Sequence, residues 1–162
     1  MSALARGFRR EARRLVMVDL ENVAGGGLRT TAAAAWARRV VEEAATVVPG
    51  EQVIVGVSSK DGLFHAKKAW PQARVVLELG RDGADHALLD VLDSEAVGER
   101  FGRVSIVSGD GIFAEAAAEL GTQGVTVTVL GWRRCMASRL RLAAGVVAFL
   151  DDRRSSEGGV AA

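Results

Sequence analysis

LVMVDLEN (15–22) is the stretch whose reading decides the fold. Its first four residues are apolar without interruption, which suits a strand covered on both faces; a strand with one wet face would alternate. The run breaks at Asp19, with Glu21 and Asn22 close behind. An acid immediately after such a strand brings several polar groups to the edge of a sheet.

Outward from this stretch the same pattern recurs in QVIVGV (52–57), RVVLEL (74–79), RVSIVS (103–108) and VTVTVL (125–130), with VVAFL (146–150) as a sixth run. The first four strands are nearly continuous in apolar residues and read as covered on both faces. Helical spacing fills the gaps. Thr30 or Thr31 caps a segment running through Trp36, Val40 and Val41 toward Ala45, and Pro49-Gly50 closes that connection. A shorter helix is predicted over 61–69, ending before Pro71. Ala84, Ala87, Leu88, Val91 and Leu92 follow the i, i+3, i+4, i+7, i+8 rule, and Ile112, Phe113, Ala116, Ala117 and Leu120 share a face that ends at Gly121 and Gly124. Strand and helix alternating in this way predict an α/β fold: a Rossmann-like three-layer α/β/α sandwich on a mostly parallel five- or six-stranded sheet with right-handed crossovers. No internal repeat occurs.

With 162 residues and 49% apolar content, the chain is long enough for one substantial core and too short for two ordinary domains. Residues 14–150 are read as the domain, 1–13 as a flexible basic arm and 151–162 as a disordered tail, since both ends lack periodicity. A single cysteine, Cys135, excludes an internal disulfide and a Cys/His zinc site. It points to a reducing cytoplasm. The longest apolar runs are far too short to span a bilayer, so no membrane partner is expected. The formal charge is +1, but 1–14 holds five Arg against one Glu and 133–141 holds four Arg and no acid, leaving an acidic body. Basic patches beside carboxylates suit a protein that grips a polyanion, though solvated arginines explain the pattern equally well.

In doubly wound sheets, sites form beyond the carboxyl ends of the strands where the chain order reverses. That rule selects Asp19 in VDLEN (18–22), Asp85 in GRDGADHALLD (80–90), and Asp110 in VSGDG (107–111). Their repulsion would be relieved by a hard divalent cation such as Mg²⁺ or Mn²⁺, which keeps waters and bridges readily to phosphate oxygens. Asp85 and Asp110 also sit where carboxylates cap helices, so residue logic alone leaves cap and ligand evenly matched.

VDLEN (18–22), GADHALLD (83–90) and VSGDGIF (107–113), in that order and separated by strand–helix units, resemble the NYN domains, relatives of the PIN nucleases, over residues 14–131. The resemblance implies a PIN-like sandwich, metal-dependent ribonuclease activity, and metal ligands at Asp19, Asp85 and Asp110. Asn22 matches the family asparagine that orients a ligand or bonds the substrate; its structural alternative is local turn formation. One departure is Ile112, where the family often carries a further acid, which weakens any second metal site. Asp90, Asp93 and Glu115 are read as facing outward and so do not replace it.

Other features carry less. Gly25-Gly26-Gly27 lacks the spacing of a nucleotide fingerprint. Asp19-Leu20-Glu21 departs from the aspartyl-phosphate phosphatase pattern, which has aspartate at the second acid and a threonine soon after. His65 and His86 are isolated, and Trp36 and Trp70 are read as core. Trp132, in GWRR (131–134), is assigned to packing over base stacking. Lys60, Arg81, Arg133 and Arg134 are the candidate phosphate contacts, with solvated charge as the alternative. The expectation is a ribonuclease hydrolysing phosphodiesters by metal-activated water, with single-stranded RNA favoured. A binding module that has lost activity and a small-molecule phosphatase are the rivals. A homodimer is compatible with the fold and unargued.

Overall fold

The computed structural model describes Leu4, Arg10 and residues 13–153 of the chain. Its centre is a six-stranded, wholly parallel sheet in the order β3-β2-β1-β4-β5-β6. The strands are β1 (Arg14–Asp19), β2 (Gln52–Val57), β3 (Arg74–Leu77), β4 (Arg103–Val107), β5 (Thr126–Gly131) and β6 (Val146–Phe149). The helices are α1 (Leu20–Ala24), α2 (Thr31–Ala45), α3 (Lys60–Ala69), α4 (Gly83–Ser94), α5 (Val97–Arg100), α6 (Ala114–Thr122) and α7 (Ser138–Ala143), joined by 3₁₀ turns at Gly111–Phe113, Arg133–Cys135 and Leu150–Asp152. The expected three-layer α/β/α sandwich is present, with six strands.

Alternation along the central strand builds the two cores. Val16 and Val18 face the layer holding Ala34, Ala37, Val40 and Val41 of α2 together with Ala66 and Trp70. Leu15 and Met17 face the layer holding Leu88 and Val91 of α4 with Ala117 and Leu120 of α6. Met17 pairs with Ile54 of β2 on one side and Ile106 of β4 on the other, so β1 has no free edge and no wet face. This is why its sequence is unbroken in apolar residues.

Some boundaries differ from the sequence reading. RVVLEL yields a strand only over Arg74–Leu77, and its residues are exposed or half-buried because β3 is an edge, not a strand covered on both faces. Thr30 is the cap of α2, its hydroxyl accepting from the Ala33 N–H at 3.0 Å, while the Thr31 hydroxyl pairs with His65 Nδ1 at 2.8 Å. Most of 1–13 and of 151–162 lies outside the described residues. Arg10 is tied down, donating to the Gln123 carbonyl, and Arg13 lies over the Phe101 ring. At the other end, Leu150 is buried and Asp152 pairs with Arg133, so the folded body extends past residue 150. Among the described residues no helix is long and apolar enough to cross a membrane.

The amino-terminal edge of the sheet is clasped by Arg14. Its guanidinium pairs with Glu51, and it donates to the Ala45 carbonyl (2.8 Å) and the Thr46 carbonyl (3.1 Å), tying β1 to the end of α2 and the following turn. Arg14 first, then the Val48 N–H, holds the Glu51 carboxyl below its ordinary pKa. A depressed carboxylate stabilises the fold above its unfolded pKa, and that contribution is lost as pH falls through the folded value. Arg14→Met is therefore expected to cost about 1–3 kcal/mol at neutral pH. The gap from wild type should narrow in acid, as read from urea melts at pH 7 and pH 3; an unchanged gap would dismiss the clasp.

Candidate functional site

In the order β3-β2-β1-β4-β5-β6, the chain leaves β1 toward one side of the sheet and leaves β4 toward the other. The connections diverge beyond the carboxyl ends of these neighbours and open a crevice. Asp19 is the last residue of β1, and Ser108-Gly109-Asp110 follow β4. Asn22 bridges the two sides: its N–H donates to Asp19 Oδ1 (3.2 Å), and its own Oδ1 accepts from the Gly109 N–H (3.3 Å). Glu21 makes the corresponding tie to β2, accepting from the Ser58 N–H (3.0 Å) and hydroxyl.

Asp85 arrives by a different route. It is the third residue of α4, whose first turn is brought against the sheet by two glycines. A Cβ on Gly56 would lie 2.7 Å from both the Ala84 carbonyl oxygen and Leu88 Cγ. A Cβ on Gly83 would overlap the Glu78 carbonyl oxygen. Asp82 turns the chain into the helix with φ +59°, a left-handed conformation that aspartate tolerates better than most residues. Asp82 rather than Asp85 occupies the cap position, and neither side chain caps. The capping alternative for Asp85 therefore falls, whereas Asp110 does cap, accepting from the Ile112 N–H at 3.0 Å.

Asp19, Asp85 and Asp110 line one cleft of about 210 Å³ together with Glu21, Asn22, Ser58 and Asp82. Asp19 and Asp85 are both buried, 6% and 5% exposed, and Asp110 is half-buried. Burial, then contact with Asp85, pushes the Asp19 carboxyl up to about 8, with the Asn22 N–H opposing. Burial is also the main cause raising Asp85, joined by the charges of Asp110 and Asp82, while its contact with Asp19 works the other way. Asp85 Oδ1 is buried with no hydrogen-bond partner. An orphaned carboxylate oxygen beside two further acids is a costly arrangement for the free protein and a suitable donor set for a hard divalent cation. Among the described residues no group of three or more His, Cys, Asp or Glu is placed so that it could hold a metal ion as it stands.

Ile112, at the position of the further family acid, packs half-buried against the second core. Asp90, Asp93 and Glu115 are exposed, as their spacing predicts. Of the candidate cations, Arg133 is engaged with Asp152 at 2.6 Å and lies over the Phe149 ring. Lys60 is exposed at the start of α3, directly after its cap Ser59, and Arg81 is exposed in the loop before α4. Arg134 lines a second, larger groove with Glu21, Asn22, Trp36 and Trp132. His86 is exposed beside Glu78. A further groove, of about 650 Å³, lies at the opposite edge of the sheet beside the Arg14–Glu51 clasp, remote from the acids.

The fold has a solved counterpart. A protein of unknown function from Vibrio parahaemolyticus is similar over 88% of this chain and 95% of its own, at 22% identity and TM-score 0.57. A nicotinamidase from Staphylococcus aureus shares 13% identity at TM-score 0.40, over 82% of this chain and 89% of that one. No family model and no curated protein matches the chain. The first likeness shows the fold alone.

Three residues at the site escaped the motif reading. Ser58 directly follows β2, and the strand-end rule that selected Asp19 would also have found it. Asp82 stood in the quoted loop, but its left-handed backbone has no sequence mark. Arg139, exposed on α7, lies against Gly111, where an added Cβ would overlap its guanidinium. Its nearness to the Asp110 turn depends on how α7 folds back, which no local pattern reports.

Proposed function

We propose that this protein is a metal-dependent ribonuclease of the NYN/PIN-like class that hydrolyses RNA phosphodiester bonds. The observation that carries the reading is the buried, partnerless Oδ1 of Asp85 in a cleft shared with Asp19 and Asp110. Burying acids together is unfavourable unless a proton or a cation joins them, and a hard cation relieves all three carboxylates at once. Asp19, Asp85 and Asp110 would hold Mg²⁺ or Mn²⁺, which when bound supplies charge neutralisation at the phosphoryl oxygens and acidifies the attacking water.

The chain's own residues have separate roles. Asn22 holds the Asp19 carboxylate and the Gly109 backbone in one register, keeping both sides of the crevice together. Glu21 fixes the end of β2 through Ser58. Arg139, beside Gly111, stands where it can meet a phosphate oxygen and offset the acidic cleft. Lys60, Arg81 and Arg134 extend the positive rim, and Arg133 belongs to the Asp152 pair.

The same fold without cleavage, a module that binds RNA or protein, is favoured by one observation: Ile112 is packed into the core, so no acid occupies that place. The two readings separate in one experiment. Purified protein with Mn²⁺ is expected to cleave a single-stranded oligoribonucleotide, and chelation should abolish cleavage. Binding without any product, across Mg²⁺ and Mn²⁺, would establish the module instead.

A further inference from the structure

Trp36 and Trp132 come from opposite ends of the chain and stack at the surface, their centroids 6.2 Å apart and their planes within 11° of parallel. Trp36 remains 39% exposed, although α2 turns a full apolar face inward without it. Trp132 is fixed edge-on by its Nε1–H, which donates to the Val23 carbonyl at 3.0 Å, and Arg153 sits 5.5 Å from the ring centroid. Trp132 packs partly buried against the first core, whereas Trp36 lies outside the buried set of α2 and leaves its indole partly open to solvent.

The pair borders a groove of about 730 Å³ that also includes Glu21, Asn22 and Arg134. Glu21 and Asn22 line the acid cleft as well, so the groove and the cleft share a wall. Of its two acids, Glu21 is engaged by Ser58, and Asp151 accepts from the Arg133 N–H and lies within electrostatic reach of the exposed Arg134 guanidinium. The groove therefore offers an aromatic platform and an arginine beside the wall it shares with the carboxylate cleft.

We infer that this groove binds an unpaired base of single-stranded RNA, stacked on the Trp36–Trp132 pair, with the adjoining phosphate near Arg134 and the neighbouring linkage in the acid cleft. The inference rests on the nuclease reading for its substrate class and adds to it the surface that would select single strands. A base within a duplex has both faces covered and cannot lie on an indole, whereas every unpaired base offers a π face. A groove of this size accommodates a nucleotide-sized ligand.

The test uses wild-type protein in EDTA, where binding is read without cleavage. Cys135, the chain's one cysteine, is exposed on the groove lining and reports occupancy by its alkylation rate. A short single-stranded oligoribonucleotide is expected to quench tryptophan fluorescence saturably and to slow alkylation of Cys135; the matching duplex should do neither. Trp36→Ala should weaken binding by about tenfold or more, and Trp36→Phe should restore most of it. Equal affinity of Trp36→Ala and wild type, or single strands that neither quench nor protect, would overturn the inference and leave the groove to a protein partner. The two readings fail separately. Groove binding without Mn²⁺-dependent cleavage removes the nuclease and keeps the platform, while cleavage without quenching or protection does the reverse.

Discussion

Asp19→Asn is expected to reduce Mn²⁺-dependent RNA cleavage by about 10²–10⁴-fold while making the metal-free protein more stable. Asp19 sits at the centre of the acid contacts, buried against Asp85 and held by the Asn22 N–H. Asparagine preserves the shape and the acceptor for that N–H, and it removes a charge that burial and Asp85 both oppose. The direction of the pH dependence follows. A carboxyl whose folded pKa is raised, here from 3.8 to about 8, leaves the native state holding more protons than the unfolded chain across that interval. Stability of the metal-free wild type should therefore decline as pH rises from about 4 to 8, by at most ~1.4 kcal/mol per pH unit. The variant should show a flatter profile. Mn²⁺ should raise the melting temperature of wild type and leave Asp19→Asn nearly unmoved. Calorimetry across pH, with and without Mn²⁺, reads all three; a variant that still cleaves, or that Mn²⁺ stabilises as strongly as wild type, would remove Asp19 from the site.

Gly83→Ala tests how Asp85 is delivered. Helix propensity alone favours alanine over glycine by roughly 1 kcal/mol inside a helix. The packing says the opposite, because a methyl group at residue 83 would overlap the Glu78 carbonyl oxygen, a backbone atom with little room to yield. The net expectation is a loss of about 1–3 kcal/mol, accompanied by a fall in cleavage larger than lost folding explains, since Asp85 is two residues along the displaced turn. Gly121→Ala is the control. It lies within α6 with open space where the added methyl would stand and an ordinary backbone, so it should stabilise by about 0.4–1 kcal/mol and leave cleavage intact. If both variants behave alike in chemical denaturation, close approach is not what positions α4.

Much of the fold was legible. Continuous apolar runs correspond to β1, β2 and β4 because buried parallel strands must be apolar on both faces, and the stripe at Ala84, Ala87, Leu88 and Val91 corresponds to the buried side of α4. RVVLEL misled, since its apolar content did not reveal that the strand lies at the sheet's edge and ends at Leu77. Asp19 and Asp110 were visible from the strand-end rule, and both stand in the crevice. Trp70 is core and Trp132 packs against the core as read, whereas Trp36, also read as core, remains 39% exposed. Spacing placed Trp36 on a helix, yet whether that position meets the core or another indole depends on residues almost a hundred positions away.

Taken alone, the sequence determined the alternation of strand and helix, the two-sided burial of the central strands and the placement of acids at strand ends. These follow from local periodicity and from the cost of leaving polar groups in an apolar layer. Tertiary structure decided which acids meet, that Asp85 keeps an oxygen without a partner, that Asn22 spans the crevice to Gly109, and that Trp36 stacks on Trp132. Each of these depends on the separation of groups distant in the chain, which is set by strand order and by close approaches such as Ala84 on Gly56, and pairwise electrostatic and packing energies change steeply over those few ångströms.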